Sequence, residues 1–281
     1  MGNGVCKLTG VSGKFVKSHI LPAALTRPEH QGAFLLQAGF GRSPVRRWSS
    51  WYDSKIVTRK GECILADYDD WGIRELRSQK LVWSSWGPMQ ELRTNDWVQI
   101  RQTDWGLRRI VLADPERFRL FFLSLLWRAA ASSLDEFDEI RLSGEELSKL
   151  GDMLIRKSAE PFDFYPVSLT QISTVGAQHN HTPIAHIKAI PEVGDLAAHK
   201  VPIYRFYIDG LAIHFDRRSR LEGFSEAMGP LVVGPSSSLA VSTVTYESSF
   251  QRENFEITMA ETYREWPQQM AKLNGDRAWP N

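Results

Sequence analysis

The sequence predicts an α+β fold, with a small strand-and-helix unit over residues 1–80 joined to a larger mixed helix and antiparallel-sheet domain over residues 81–281. Three observations predict it. A Gly-rich opening with one short alternating segment leads into an amphipathic run, two well-capped apolar helices follow, and β-type runs separated by Gly and Pro return from Leu169 onward. At 281 residues, 42% hydrophobic and 24% charged, the chain has enough apolar content for a packed core, which excludes a disordered or low-complexity chain.

Each element has its own signal. Phe15-Val16-Lys17-Ser18-His19-Ile20-Leu21 alternates and is ended by Pro22, which predicts a strand of a small hairpin. From Gly61 to Lys80, Ile64, Leu65, Tyr68, Trp71 and Leu76 recur mostly at three and four residues and so share one helix face, with Glu62, Asp67, Asp69 and Asp70 on the other sides. Ser84 to Ile110, where Trp86, Trp97 and Trp105 stand among Gly, Pro and Asp, reads as short strands and loops. Asp114-Pro115-Glu116 supplies an N-cap, a first-turn Pro and a first-turn carboxylate ahead of the apolar stretch Phe118 to Ala131, which predicts a buried central helix. Ser143-Gly144-Glu145-Glu146 matches a capping box before Leu147, Leu150, Met153 and Leu154. Val201 to Phe215 and Ser238 to Tyr246 then read as strands.

Several function classes drop out. There is no nucleophile elbow, phosphate-binding glycine loop, zincin helix or cysteine cluster. The longest strongly apolar run, Leu120 to Trp127, is far shorter than the roughly 20 residues of a membrane span, and Met1-Gly2-Asn3-Gly4-Val5-Cys6-Lys7 has no apolar leader segment. The expectation is a cytoplasmic protein with no membrane partner. The cysteines, Cys6 and Cys63, are too few for a disulfide framework.

The informative motif is Cys6-Lys7-Leu8-Thr9-Gly10, a turn, then Ser18-His19-Ile20-Leu21-Pro22. It resembles the start of the HNH-type endonucleases of treble-clef ββα-metal fold, in the branch reading Cys-x-x-Cys-Gly and then Ser/Ala-His-Ile-x-Pro. That branch continues with a second knuckle, Cys-x-x-Cys-Glu-x-x-Leu-x-x-Tyr-Glu. Thr58-Arg59-Lys60-Gly61-Glu62-Cys63-Ile64-Leu65-Ala66-Asp67-Tyr68-Asp69 fits the same frame, with Thr58 and Gly61 where the cysteines would stand. The resemblance covers residues 6 to 80 and implies a degenerate treble-clef ββα unit. Thr9, Thr58 and Gly61 leave Cys6 as the only knuckle cysteine, so no structural zinc is expected. A site rebuilt from Cys6, Cys63 and a nearby His is one alternative; packing of Phe15, Trp48, Trp51 and Tyr52 between hairpin and helix is the other and the preferred one.

The resemblance also implies a chemistry: metal-assisted phosphodiester hydrolysis with His19 as general base and a divalent cation, Mg²⁺ or Mn²⁺, held by Glu62 and Asp69. Ser18, where the family commonly has Asp or His, is a weak neutral ligand. The alternative function is a catalytically inactive nucleic-acid- or protein-binding, regulatory protein that retains the scaffold. Prokaryotic defence and mobile-element settings are common for the family.

Bland readings stand beside these. His19 can be a hydrogen-bonded structural residue, Cys6 and Cys63 small core hydrophobes, and the acidic residues a solvated helix face. His179-Asn180-His181, with His186, reads as an ordinary loop rather than a metal cluster because of Pro183 and its polar flanks. Trp71 and Trp127 read as core; Trp48 and Trp51, beside Arg46 and Arg47, read either as base-stacking platforms or as core.

Charge is distributed unevenly. The chain's 34 Lys and Arg nearly cancel its 33 Asp and Glu, yet residues 1–60 hold ten basic residues against Glu29 and Asp53, a net of +8 that leaves −7 for the rest. That excess predicts a nucleic-acid partner, DNA ahead of RNA, contacted by Lys14, Lys17, Arg42, Arg46, Arg47, Arg59 and Lys60.

Overall fold

In the computed structural model, which describes residues 2–27, 35–39, 42–48, 50–93, 97–100, 103–190, 198–218 and 229–274, the N-terminal part is built from short pieces. β1 (Asn3–Val5) and β2 (Ser12–Lys14) form an antiparallel hairpin. The strand expected over Phe15 to Leu21 is reduced to a bridge at Phe15 and the two-residue β3 (Ser18–His19). The cause is a change of partner: Val16 N donates to Val57 O and Ile20 N to Trp51 O, so the segment runs along residues 51–58 instead of folding back on the opening. A four-residue helix α1 (Ala23–Thr26), the paired strands β4 (Leu35–Gly39) and β5 (Arg42–Arg47), and β6 (Tyr52–Asp53), which pairs with β3, lead to α2 (Arg59–Ser78). α2 buries Gly61, Leu65, Tyr68, Gly72 and Leu76, the face its spacing predicts.

β7 (Trp97–Gln99) and β8 (Trp105–Val111) precede the central helix α3 (Pro115–Ala131). α3 is buried on every side from Phe118 to Ala129, and Asp114 caps it by accepting from Arg117 N at 2.9 Å. α2 approaches it closely at Gly72, where a Cβ would lie 2.3 Å from the Phe121 ring. α4 (Gly144–Arg156) begins at the expected capping box, with Ser143 Oγ accepting from Glu146 N and Glu146 Oε2 accepting from Ser143 N.

The second half supplies β9 (Val167–Ile172), β10 (His181–Ile190), β11 (His199–Ile208), β12 (Leu211–Asp216), β13 (Ser238–Val244), α5 (Phe250–Glu265) and α6 (Pro267–Asn274). The seven-stranded sheet runs β10-β11-β12-β9-β13-β8-β7. It is mixed rather than wholly antiparallel: β13 inserts between β8 and β9, pairing antiparallel with the first and parallel with the second. His181 opens the edge strand β10 through Pro183, where the sequence suggested a loop. The edge position and a register shift between His181 and Ile184 accommodate the proline.

One face of the sheet, with Leu169, Phe206, Ile213, Phe215, Leu239 and Val241, packs with α2, α3 and α4 in a core continuous across residue 80. Ile20, Leu21, Trp51, Leu65 and Tyr68 belong to it as much as Phe121 and Leu125. Cys63, expected in the core, is exposed because it lies off the Leu65–Tyr68 face of α2. Trp51 fills the space beside the hairpin at 2% exposure, but Trp48 and Tyr52 stay exposed at 59% and 38%. No helix among the described residues is long and apolar enough to cross a membrane.

Candidate nucleic-acid interface

The four positions where the HNH resemblance places zinc-knuckle cysteines converge. Cys6 is buried; Thr9 N donates to its Sγ at 3.4 Å, and a Cβ on Gly61 would lie 2.7 Å from the same sulfur. Burial raises the Cys6 thiol, but hydrogen bonds from the Thr9 hydroxyl and from the Thr58, Thr9 and Leu8 backbone outweigh it and hold the thiol below its usual range. The donors present do not fit zinc. One thiol, two hydroxyls and a glycine fall short of the four ligands a closed tetrahedral site needs. Packing of Gly61 and Val57 against the Cys6 sulfur occupies the volume instead.

Next to this, His19 ends the β3 strand, half-buried, its ring edge-on to Tyr52 at 6.3 Å between centroids. Its surroundings are set by Arg128, a buried arginine of α3. Arg128 forks onto Asp69 with Nη1–Oδ2 2.8 Å and Nη2–Oδ1 2.5 Å, donates from Nη1 to the His19 carbonyl at 3.0 Å, and reaches Ser124 O and Oγ at 3.2 and 3.0 Å. Burial and the Arg128 charge lower the His19 imidazole, opposed by Asp69. Burial raises the Glu62 carboxyl against the pull of the Ser18 hydroxyl and Arg128, and both Glu62 Oε2 and Ser18 Oγ are buried without a hydrogen-bond partner.

Asp69 and the His19 carbonyl therefore share one guanidinium, and Glu62 feels its charge without a hydrogen bond to it among the described residues. Glu62 and Asp69 are seven residues apart on α2, a rise of roughly 10 Å along the axis. Asp69 has both oxygens on Arg128, and a divalent cation at Glu62 would face that guanidinium. No three His, Cys, Asp or Glu side chains are grouped for a metal ion among the described residues.

The seven basic residues singled out by sequence divide into two groups. Lys14, Lys17, Arg59 and Lys60 are exposed, together with Lys55, which sequence reasoning left out. Register gathers them: Phe15 bridges Thr58, so Lys14 adjoins Arg59, and Ser18 pairs with Asp53, so Lys17 lies across from the turn that carries Lys55. Lys17 Nζ sits 4.3 Å above the Tyr52 ring; the Lys14, Lys55, Arg59 and Lys60 side chains make no hydrogen bond or ion pair among the described residues. Arg59 and Lys60 also open α2, so the helix's own N–H groups face the same side. Arg47 instead pairs with Glu136 at 3.2 Å and bonds Gln37, and Arg46 donates to Leu273 O at 2.8 Å. Arg42 opens β5, and its side chain lies outside the described residues.

A cleft of about 620 Å³ lies elsewhere, between the β4–β5 hairpin, β10 and α5. Asp135, Glu136, Glu139, Glu261 and Glu265 line it, so it repels a polyanion and leaves the rim around α2 as the basic face. His179 and His181 border this cleft without forming a metal cluster: His179 is stacked between Tyr207 and Phe255 at 5.0 and 4.7 Å, its ring nitrogens bonded to Ala177 O and the Gln251 amide.

Fold and site together define an α+β protein whose helix α2 opens on a rim of exposed cations that make no ion pair among the described residues. No family model, curated protein or solved structure matches the chain.

Proposed function

We propose that this chain is a nucleic-acid-binding protein on a degenerate HNH-type ββα scaffold, with duplex DNA preferred to RNA and with phosphodiester cleavage lost. The observation that carries the reading is the exposed rim of Lys14, Lys17, Lys55, Arg59 and Lys60 at the start of α2 beside the His19 strand, with no ion pair to any of them among the described residues and Glu62 acting on Arg59 only at longer range. Phosphates are the partner such a rim fits, and counterion release supplies the affinity. Convergence of Cys6, Thr9, Thr58 and Gly61 supports the treble-clef ancestry, and the bidentate hold of Arg128 on Asp69 supports loss of the chemistry.

A second reading, a nuclease using His19 as general base with Mg²⁺ or Mn²⁺, is favoured by the position of His19 at the end of β3, half-buried next to the basic rim. One set of measurements separates the two. Fluorescence anisotropy with a labelled 20-bp duplex, its single strands and the matching RNA is followed across salt for the wild type and the Lys14→Glu/Arg59→Glu double variant. Binding should weaken by at least tenfold in the variant, and the salt slope should fall by about 0.9 per phosphate contact removed. Unchanged binding in the variant, or none at low salt, refutes the rim. Plasmid cleavage with Mg²⁺ or Mn²⁺ that disappears in His19→Ala would establish the second reading instead.

A further inference from the structure

The outer face of the large sheet carries a second concentration of positive charge. Register sets Ile184, Arg205, His214 and Ser168 in one row across β10, β11, β12 and β9, with His186 and Lys188 further along β10 on the same face. Arg205 and His214 are 6% and 4% exposed. Neither ring nitrogen of His214 has a hydrogen-bond partner. Among the described residues the Arg205 guanidinium makes no hydrogen bond or ion pair, and its one contact of note is the Phe250 ring 4.1 Å away. Phe250 is the first residue of α5, and its ring also lies 6.1 Å from that of His214, so the N-terminal turn of a sixteen-residue helix covers the row.

Acidic groups balance this charge only in part: Asp216 acts on Lys188, and Glu253 lies in the first turn of α5. Asp216, the nearest on β12, is already paired with Arg218 at 2.8 Å, and Glu139 accepts from Ala185 N. A buried arginine, a half-buried lysine and a buried imidazole without a hydrogen-bond partner among the described residues stand in one place, and Asp216 beside Lys188 and the Phe250 ring over Arg205 offset only part of their desolvation. Burial pulls Arg205 down to about 10, lowers Lys188 against the opposing charge of Asp216, lowers His186, and pushes His214 well below the usual histidine range, where Lys188, Arg205 and His186 add to it.

We propose that this row is a binding site for a small phosphoryl anion, held by Arg205, His214, Lys188 and His186 beneath the first turn of α5. The chemistry of the donors selects that class. Arg205 offers a planar fork of N–H groups, Lys188 a second full charge, His214 and His186 single ring donors, and the α5 terminus a partial positive charge; a dianion with several acceptor oxygens matches all of them, where a carboxylate supplies half the charge. The site is independent of the rim around α2 and lies on a different part of the chain. Free phosphate and the terminal group of a phosphate monoester share this chemistry.

The test is thermal unfolding and ³¹P line width with inorganic phosphate, sodium chloride at matched ionic strength, adenosine 5′-monophosphate and adenosine. Phosphate should raise the unfolding temperature above that in chloride and broaden its ³¹P line, as a ligand that binds only the folded state does. Arg205→Met should weaken binding at least tenfold while unfolding no earlier than the wild type in chloride, because it removes an unneutralised buried charge. Lys188→Gln, on the half-exposed edge, should weaken it severalfold and serves if Arg205→Met does not fold. The Lys14→Glu/Arg59→Glu variant should keep the effect. Stabilisation by the nucleotide but not the nucleoside marks a monoester site, and stabilisation by phosphate alone a free-phosphate site. No difference between phosphate and chloride in the wild type, or an effect retained in both Arg205→Met and Lys188→Gln, overturns the proposal.

Discussion

Two buried arginines show how differently one side chain can be used. Arg128, on α3, has Asp69, the His19 carbonyl and Ser124 around its guanidinium, so its charge is neutralised and its donors are met inside the fold. Arg205, on β11, is nearly as buried and meets an aromatic ring and a row of other bases. Arg119 stands with the first kind, giving its donors to the Ala159, Pro161, Phe164 and Tyr165 carbonyls. The contrast separates architecture from ligand binding. A buried cation with its partners present holds elements together, and one without them waits for an anion from outside.

The sharpest way to break that contrast is to remove a partner. Asp69→Asn leaves Arg128 buried without its counter-charge and should cost about 3–5 kcal/mol in urea unfolding, because the guanidinium cannot regain water. Arg205 in the wild type already lacks such a partner, so Arg205→Met should change stability by less than about 1 kcal/mol without phosphate. If Asp69→Asn and Arg205→Met cost the same, the two arginines are alike and the distinction fails.

Sequence made some of this legible and hid the rest for physical reasons. Local chemistry was readable: Asp114 and Ser143 cap helices through contacts three residues away, and the spacing of Leu65, Tyr68 and Leu76 fixed the buried face of α2. Of His19, Glu62 and Asp69, picked out by sequence, Asp69 and the His19 carbonyl meet at one centre, the Arg128 guanidinium. The guanidinium at that centre comes from a helix 59 residues beyond Asp69, and nothing local signals the pairing. A signal did exist: Arg119 and Arg128 interrupt an otherwise apolar run, and a charge on a helix buried all round must find a partner. Arg205 and His214 interrupt apolar strands in the same way. By contrast, nothing in Arg46-Arg47 distinguishes side chains turned toward Leu273 and Glu136 from side chains reaching for phosphate.

Histidines sharpen the comparison through pH. Burial pulls His179 down to about 4, and the Gln251 amide donating to its Nε2 requires that nitrogen unprotonated; burial depresses His214 further in the same direction. The unfolded chain binds these protons near the ordinary histidine value of roughly 6.5, so it holds more protons than the native state below that pH. Stability is therefore full above about pH 6.5 and falls with acidification. By pH 5, above most carboxylate titration, His179 alone should account for about 2 kcal/mol, with His214 adding to it. Urea midpoints at pH 7, 6 and 5 check this, and a flat profile would mean that neither imidazole is held neutral.

The smallest effect belongs to a carboxylate only two residues from Asp69. Asp67 sits on the same helix and meets Arg117 at 3.0 Å and Lys157 at 3.4 Å, so a contact list makes it look as well bonded as its neighbour. The difference is solvent: the Asp67–Arg117 side chains are 45% and 32% exposed, against 19% and 1% for Asp69 and Arg128. Water and salt screen the outer pairs, and holding long side chains in place offsets most of the remaining attraction. Asp67→Asn should lower stability by less than about 1 kcal/mol, and the loss should shrink further in high salt, where the Asp69→Asn loss persists. Equal losses in the two variants would show that the charge of α2's acidic residues, rather than their burial, sets their worth.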